Sequence, residues 1–216
     1  MTNGRGRLVF QAPILAALAL VGGQAMSLEK PEYTVVYTDG DIEYRQYEPY
    51  LVSETVVQTD GGYRDAGNEG FRRLFDYISG ANKSQAKIEM TAPVERIPSS
   101  EKIEMTAPVE RAETAEGWIV TFMLPSQYTL ATAPVPTDER VRIREVPGRI
   151  MAVLRYSGRW TDSNLAKRSA QLLESIATRS IETQGEVISA AYDPPFMPPF
   201  FRRNEVMVEV ARLPGS

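Results

Sequence analysis

Two stretches of this chain share one pattern. Asp41–Val56 reads DIEYRQYEPYLVSETV and Arg140–Gly158 reads RVRIREVPGRIMAVLRYSG. Each is an alternating run, a Pro-containing turn and a second β-rich run, and each is followed by a helical segment. In Asp41–Gln46 and Val141–Val146 apolar and polar residues alternate with period two, the mark of a strand with unlike faces. After the first unit, Asn68–Ser79 puts Phe71, Leu74, Phe75 and Ile78 on one helical face, with Gly80 and Asn82 as stop residues. After the second, Asp162 or Ser163 can cap a helix running to about Ile181. Its apolar face holds Leu165, Leu172, Leu173 and Ile176, and Gly185 closes it. Strands follow both helices, at Trp118–Leu124, Val187–Tyr192 and Glu205–Val210, whereas residues 26–40 read as an irregular lead-in.

The pattern predicts an internal duplication of a ββαββ-like unit. Two such units, each burying one sheet face, can curl into an open α+β barrel with the helices outside. A second, literal repeat lies inside the first unit. KIEMTAPVER occurs at Lys87–Arg96 and again at Lys102–Arg111, each copy alternating like a half-buried strand, with IPSSE as the joining hairpin loop.

Composition removes whole classes of chemistry. The chain has no His and no Cys among its 216 residues. Ser-His-Asp and Cys-His catalysis, His-based metal sites, thiolate sites and disulfides are therefore absent. With 24 Lys+Arg against 28 Asp+Glu there is no basic footprint for nucleic acid. Carboxylate catalysis lacks any marked constellation, so the chain reads as a non-enzyme with no metal site. At the N-terminus, Arg5 and Arg7 precede the apolar run Leu8–Val21 and the small-residue stretch ending at Ala25. This is the layout of a secretory signal peptide over residues 1–25, leaving 26–216 as the mature domain, periplasmic or secreted. Contact with a membrane is expected only through this segment, if it stays uncleaved.

Four segments in order, GFRRLFDYISGAN at Gly70–Asn82, the doubled KIEMTAPV, VPGRIMAVLRYSG at Val146–Gly158 and PPFMPPFFRRNEV at Pro194–Val206, resemble the SOUL heme-binding family over about Tyr33–Val210. The resemblance implies a distorted antiparallel β-barrel of two pseudo-symmetric halves with two helices. It also implies heme or a porphyrin held in a shallow apolar groove near the first helix and a late loop, as tetrapyrrole or another flat apolar small molecule. Some family members are thought to ligate iron through His, which this chain lacks. Apolar contact with the ring, and Arg or Lys on its propionates, remain. The candidate ligand-binding residues are Phe71, Arg72, Phe75, Tyr192, Phe196, Phe200 and Arg202. The alternative function is an envelope protein-interaction module without a ligand, using the Phe-rich loop.

Overall fold

The computed structural model describes residues 28–59, 61–99 and 117–215. The proposed signal segment and the second KIEMTAPVER copy lie outside the described residues. In chain order the elements are β1 (Tyr33–Asp39), β2 (Ile42–Tyr47), β3 (Tyr50–Gln58), α1 (Gly62–Ile78), β4 (Val94–Ser99), β5 (Gly117–Met123), β6 (Val141–Val146), β7 (Arg149–Tyr156), α2 (Asp162–Ala177), β8 (Thr183–Ala191), a short 3-10 turn at Pro199–Phe201, and β9 (Asn204–Val210). All nine strands join one antiparallel sheet in the order β1-β2-β7-β9-β8-β4-β5-β3-β6. The sheet curls into a half-barrel and carries the two helices, the α+β architecture expected from the sequence.

Without β1, the order reads alike from both ends. β6-β3-β5-β4 matches β2-β7-β9-β8 when the first unit is taken as β2, β3, α1, β4, β5 and the second as β6, β7, α2, β8, β9. The first strand of each unit pairs with the other unit: Tyr44 faces Ala152 across β2 and β7, and Ser53 faces Ile143 across β3 and β6. The strands flanking each Pro turn therefore cross between halves instead of forming a hairpin. This exchange adds to the pairing of the two units within the sheet, where β4 also pairs with β8.

Each helix covers its own core. Leu74, Tyr77 and Ile78 of α1 bury with Val57, Val120 and Phe122, while Leu172 and Ile176 of α2 bury with Tyr44, Ala152, Leu154, Val206 and Val208. The opposite face of the sheet holds a third cluster made by strands alone, including Tyr47, Met151, Val153, Ile188 and Met207.

The structure corrects several sequence expectations. Helix α1 begins at Gly62, six residues before the expected Asn68, so that Gly67 lies inside it together with Gly70. A Cβ at Gly67 would stand 2.5 Å from the Arg96 guanidinium, and one at Gly70 would stand 2.4 Å from Val120. Glycine costs a helix about 1 kcal/mol relative to alanine; here it lets the helix lie against the sheet. The buried stripe is consequently Tyr63, Ala66, Gly67, Gly70, Leu74, Tyr77 and Ile78, and Phe75 is left 46% exposed. The cap of α2 is Thr161, whose hydroxyl accepts from Asn164 N at 3.3 Å. That helix ends at Ala177, where Ser180 (φ 54) supplies the left-handed turn, and Gly185 lies at an irregularity of β8. The expected lead-in contains β1, an edge strand with Val35, Val36 and Tyr37 exposed, whose burial shows no alternation to read. In the first KIEMTAPVER copy only the end is strand: β4 starts at Val94 and runs to Ser99, so the first three residues of the expected joining loop are strand as well.

Candidate functional site

At one end of the sheet, β7 finishes, β9 begins and the loop between β8 and β9 emerges. Gly158 turns the chain away from β7 at φ 132, a conformation open to glycine. Its N–H donates to Pro199 O at 2.9 Å, and Asn204 Nδ2 donates to its carbonyl at 3.2 Å. Trp160 Nε1 in turn donates to Asn204 Oδ1 at 2.7 Å. The 193–203 loop is thus bound to the connection between β7 and α2. Within the loop, Met197 N donates to Pro194 O and Phe201 N to Pro198 O, each at 3.0 Å. Arg202 is the internal brace, donating from Nε to Met197 O at 2.8 Å and from its terminal nitrogen to Pro195 O at 2.5 Å.

Four prolines and these bonds hold three rings outward: Phe196 is 85% exposed, Phe200 69% and Phe201 70%. Single exposed apolar residues are ordinary, but three large rings on a stiffened loop form a patch that marks a contact surface. Beneath Phe200 and Phe201, whose rings lie 4.5 Å apart, is an open recess of about 550 Å³ lined by Asp41, Arg155, Tyr156, Ser157 and Arg202. The Arg155 side chain has no ion-pair or hydrogen-bond partner among the described residues, so the recess sets aromatic walls beside a guanidinium unpaired by those residues. A second open recess, between the β1–β2 turn and α2, is walled by Asp39, Asp41 and Glu174 and has no aromatic ring.

The helix-free face of the sheet carries buried charge. Arg45 and Glu205 are 2% and 0% exposed and meet in a two-armed contact at 2.9 and 3.1 Å. Arg203 adds a bond to Glu205 at 2.7 Å, and the Tyr192 hydroxyl donates to it at 2.7 Å. Burial alone would raise the Glu205 carboxyl; the hydrogen bonds and charge of Arg45 and Arg203 outweigh it and hold the carboxyl below its ordinary range. Glu95 contrasts with it. Among the described residues this buried carboxyl receives the hydroxyls of Tyr50, at 3.4 Å, and Thr121, at 3.3 Å, and burial raises its pKa against the opposing charge of Arg149. Among the described residues no cluster of His, Cys, Asp and Glu could hold a metal ion.

The residues singled out in the sequence occupy three places. Phe200 and Arg202 line the aromatic recess, and Phe196 projects from the same loop. Phe71 and Phe75 stack at 5.8 Å on α1, where Phe71 also meets Phe122 edge-on at 5.2 Å, and Arg72 is an exposed partner of Glu69. Tyr192 turns to the buried charges, its ring 4.1 Å from the Arg203 guanidinium. Sequence reasoning passed over Arg155 and Tyr156, although an Arg inside the apolar run Ile150–Tyr156 was a usable signal. It included Phe201 in the Phe-rich loop without naming it as a contact, and it passed over Trp160.

The family model described as SOUL heme-binding protein matches residues 28–209. Heme-binding protein 1 of Xenopus laevis is 29% identical over 166 residues, 76% of this chain and 80% of the relative. Heme-binding protein 1 of Mus musculus is 29% identical over 153 residues, 70% of this chain and 75% of the relative. Among solved structures, the EcmrR C-terminal domain superposes with a TM-score of 0.55 at 9% identity, covering 84% of this chain and 99% of that one, a likeness of fold alone. With the match spanning nearly every described residue, from the lead-in before β1 to Glu209 in β9, this chain belongs to the SOUL heme-binding protein family.

Proposed function

We propose that the chain is a non-enzymatic binding protein for heme or a metal-free porphyrin, held at the aromatic recess without an imidazole ligand. The observation that carries this reading is the braced loop, which presents Phe200 and Phe201 beside Tyr156, Arg155 and Arg202. A tetrapyrrole is flat and apolar with carboxylates at one edge. Its faces suit stacking on Phe and Tyr, and its carboxylates suit guanidinium donors. The residues present therefore fit the macrocycle and its acids. The metal is a separate matter: the sequence has no His or Cys, Met ligation is usually partnered by His and Tyr must first lose its proton, so in this reading ring contact and charge supply the affinity. The bound group would bring its own absorbance and redox chemistry; the chain's part is to shield one face and fix the edge. Family membership and the two heme-binding relatives support the ligand class.

The test compares the natural protein with a Phe200→Ala, Phe201→Ala variant by quenching of porphyrin fluorescence and by the Soret band of hemin. Losing two stacking rings should weaken both ligands about tenfold or more, since each contributes about 0.5–1.5 kcal/mol beyond burial. An unchanged Soret band and no quenching with micromolar natural protein would remove the reading. We also propose that the protein works outside the cytoplasm after loss of residues 1–25. N-terminal sequencing of the purified protein checks this, and an intact Met1 in a soluble cytosolic fraction would contradict it.

A further inference from the structure

On the helix side of the sheet, a seam runs between the two cores, and positive charge gathers in it. Arg96 of β4 is 7% exposed, yet its Nε and one terminal nitrogen have no hydrogen-bond partner. Its guanidinium lies 4.5 Å from the Tyr63 ring at the start of α1 and 5.8 Å from the Trp160 ring before α2. Arg202 reaches the same Trp160 ring at 4.4 Å. Arg168 of α2 lies 5.6 Å from the Tyr156 ring, and its Nε is likewise buried and unbonded. Among the described residues no carboxylate forms an ion pair with any of these three guanidiniums. The nearby Asp162 instead accepts from the backbone of Tyr63 at 2.9 Å.

This arrangement is uncommon. Guanidinium keeps its charge at every accessible pH, and native interiors pair nearly all buried donors. Cation–π contact covers the faces of the rings but leaves the in-plane N–H groups without acceptors. The surrounding sequence also makes room for the guanidinium: Gly67 lies within α1, and any Cβ there would strike the Arg96 guanidinium. Arg202 and Tyr156, which flank the seam, also line the aromatic recess.

We propose that this seam is an oxyanion site, in which Arg96, assisted by Arg168 and Arg202, holds one carboxylate or phosphate group between the starts of the two helices. The oxyanion has two sources, a carboxylate of the porphyrin bound at the recess or a free anion such as phosphate. The first rests on the tetrapyrrole reading above; the second does not.

The experiment uses the full chain carrying Trp118→Phe, which leaves Trp160 as the sole indole, since the sequence has two Trp. Three probes are titrated: protoporphyrin, its dimethyl ester, and inorganic phosphate followed by Trp160 emission. If the seam holds a ligand carboxylate, Arg96→Met weakens the diacid tenfold or more and leaves the diester unchanged. If it holds a free anion, phosphate shifts Trp160 emission in the parent, the shift is lost in Arg96→Met, and both porphyrins are unaffected. Arg168→Met, at the flank of the seam, should give the same pattern at smaller size, and it keeps the test open should Arg96→Met fail to fold by circular dichroism. Should the parent bind neither porphyrin, the recess reading fails and phosphate alone decides the seam. Probes that respond alike in the parent and both variants would overturn the site.

Discussion

In the half covered by α1, the helix lies so near the sheet that Gly67 and Gly70 are held to hydrogen, and seven helix residues are buried. In the half covered by α2, only Leu172 and Ile176 are buried and Leu173 is 38% exposed. The buried acids differ in the same way. Glu205 in β9 is saturated by Arg45, Arg203 and Tyr192, whereas Glu95 in β4 receives two hydroxyls. One topology thus supports two economies of contact: the α1 half combines tight packing with a poorly compensated carboxyl, the α2 half looser packing with a fully paired one. The unpaired guanidinium of Arg96 falls where the two meet.

The largest effect should come from the paired acid. Glu205→Gln removes the buried carboxylate shared by Arg45 and Arg203, leaving Arg45 only the partly exposed Glu43 at 2.7 Å, and should cost about 3 kcal/mol in urea unfolding. A loss under about 1 kcal/mol would mean that the Arg45 contact does not hold the halves as described. Next is helix packing. Gly70→Ala places a methyl against Val120 and should cost about 1–3 kcal/mol, although alanine is the better helix former. On α2 the sign reverses: exposed Ala170 packs on nothing, so Ala170→Gly should lose about 1 kcal/mol by propensity alone. A loss in both variants, alanine being disfavoured at 70 and favoured at 170, would sharpen the contrast; a stabilising Gly70→Ala would break it.

The smallest effect is one of sign with pH. Burial raises the Glu95 carboxyl above its ordinary 4.5, so the folded state favours the proton and loses stability as pH rises from there through the folded value. Glu95→Gln lacks that loss, and its melting temperature should move upward relative to the natural protein between pH 4 and neutrality. Glu205 is lowered, so its contribution is full above its ordinary 4.5 and vanishes as pH falls through the folded value. The cost of Glu205→Gln should accordingly be largest near neutrality and shrink in acid. Parallel pH profiles for the two variants would contradict the assignment of both environments.

Much of this architecture was legible in residue order. Alternation located β2 and β6, and the Pro turns and following helical stripes placed both helices. What escaped depended on neighbours distant in sequence. The helix was expected to start at Asn68, after Gly67, and the need for glycine at 67 and 70 shows only when Arg96 and Val120 are seen against them. Phe75 looked like core by spacing, but Tyr77, with its hydroxyl on Pro134 O at 2.8 Å, takes that place. The crossing of β2 to β7 cannot be deduced from a turn that would equally suit a hairpin. At the site, the Phe-rich loop was visible by composition. Its partners Arg155 and Tyr156 belong to a strand that reads as interior, and only the end of the sheet brings them beside the loop.

The account stands on a ring held by aromatic contact and guanidinium charge with no protein nitrogen on a metal. Its most direct measurement is the ratio of dissociation constants for hemin and metal-free protoporphyrin, taken on one preparation at one pH. The account predicts values within a few-fold of each other and no spectral sign of an axial protein ligand. Hemin binding a hundredfold tighter than the free porphyrin, with a shifted Soret band that marks coordination, would contradict it.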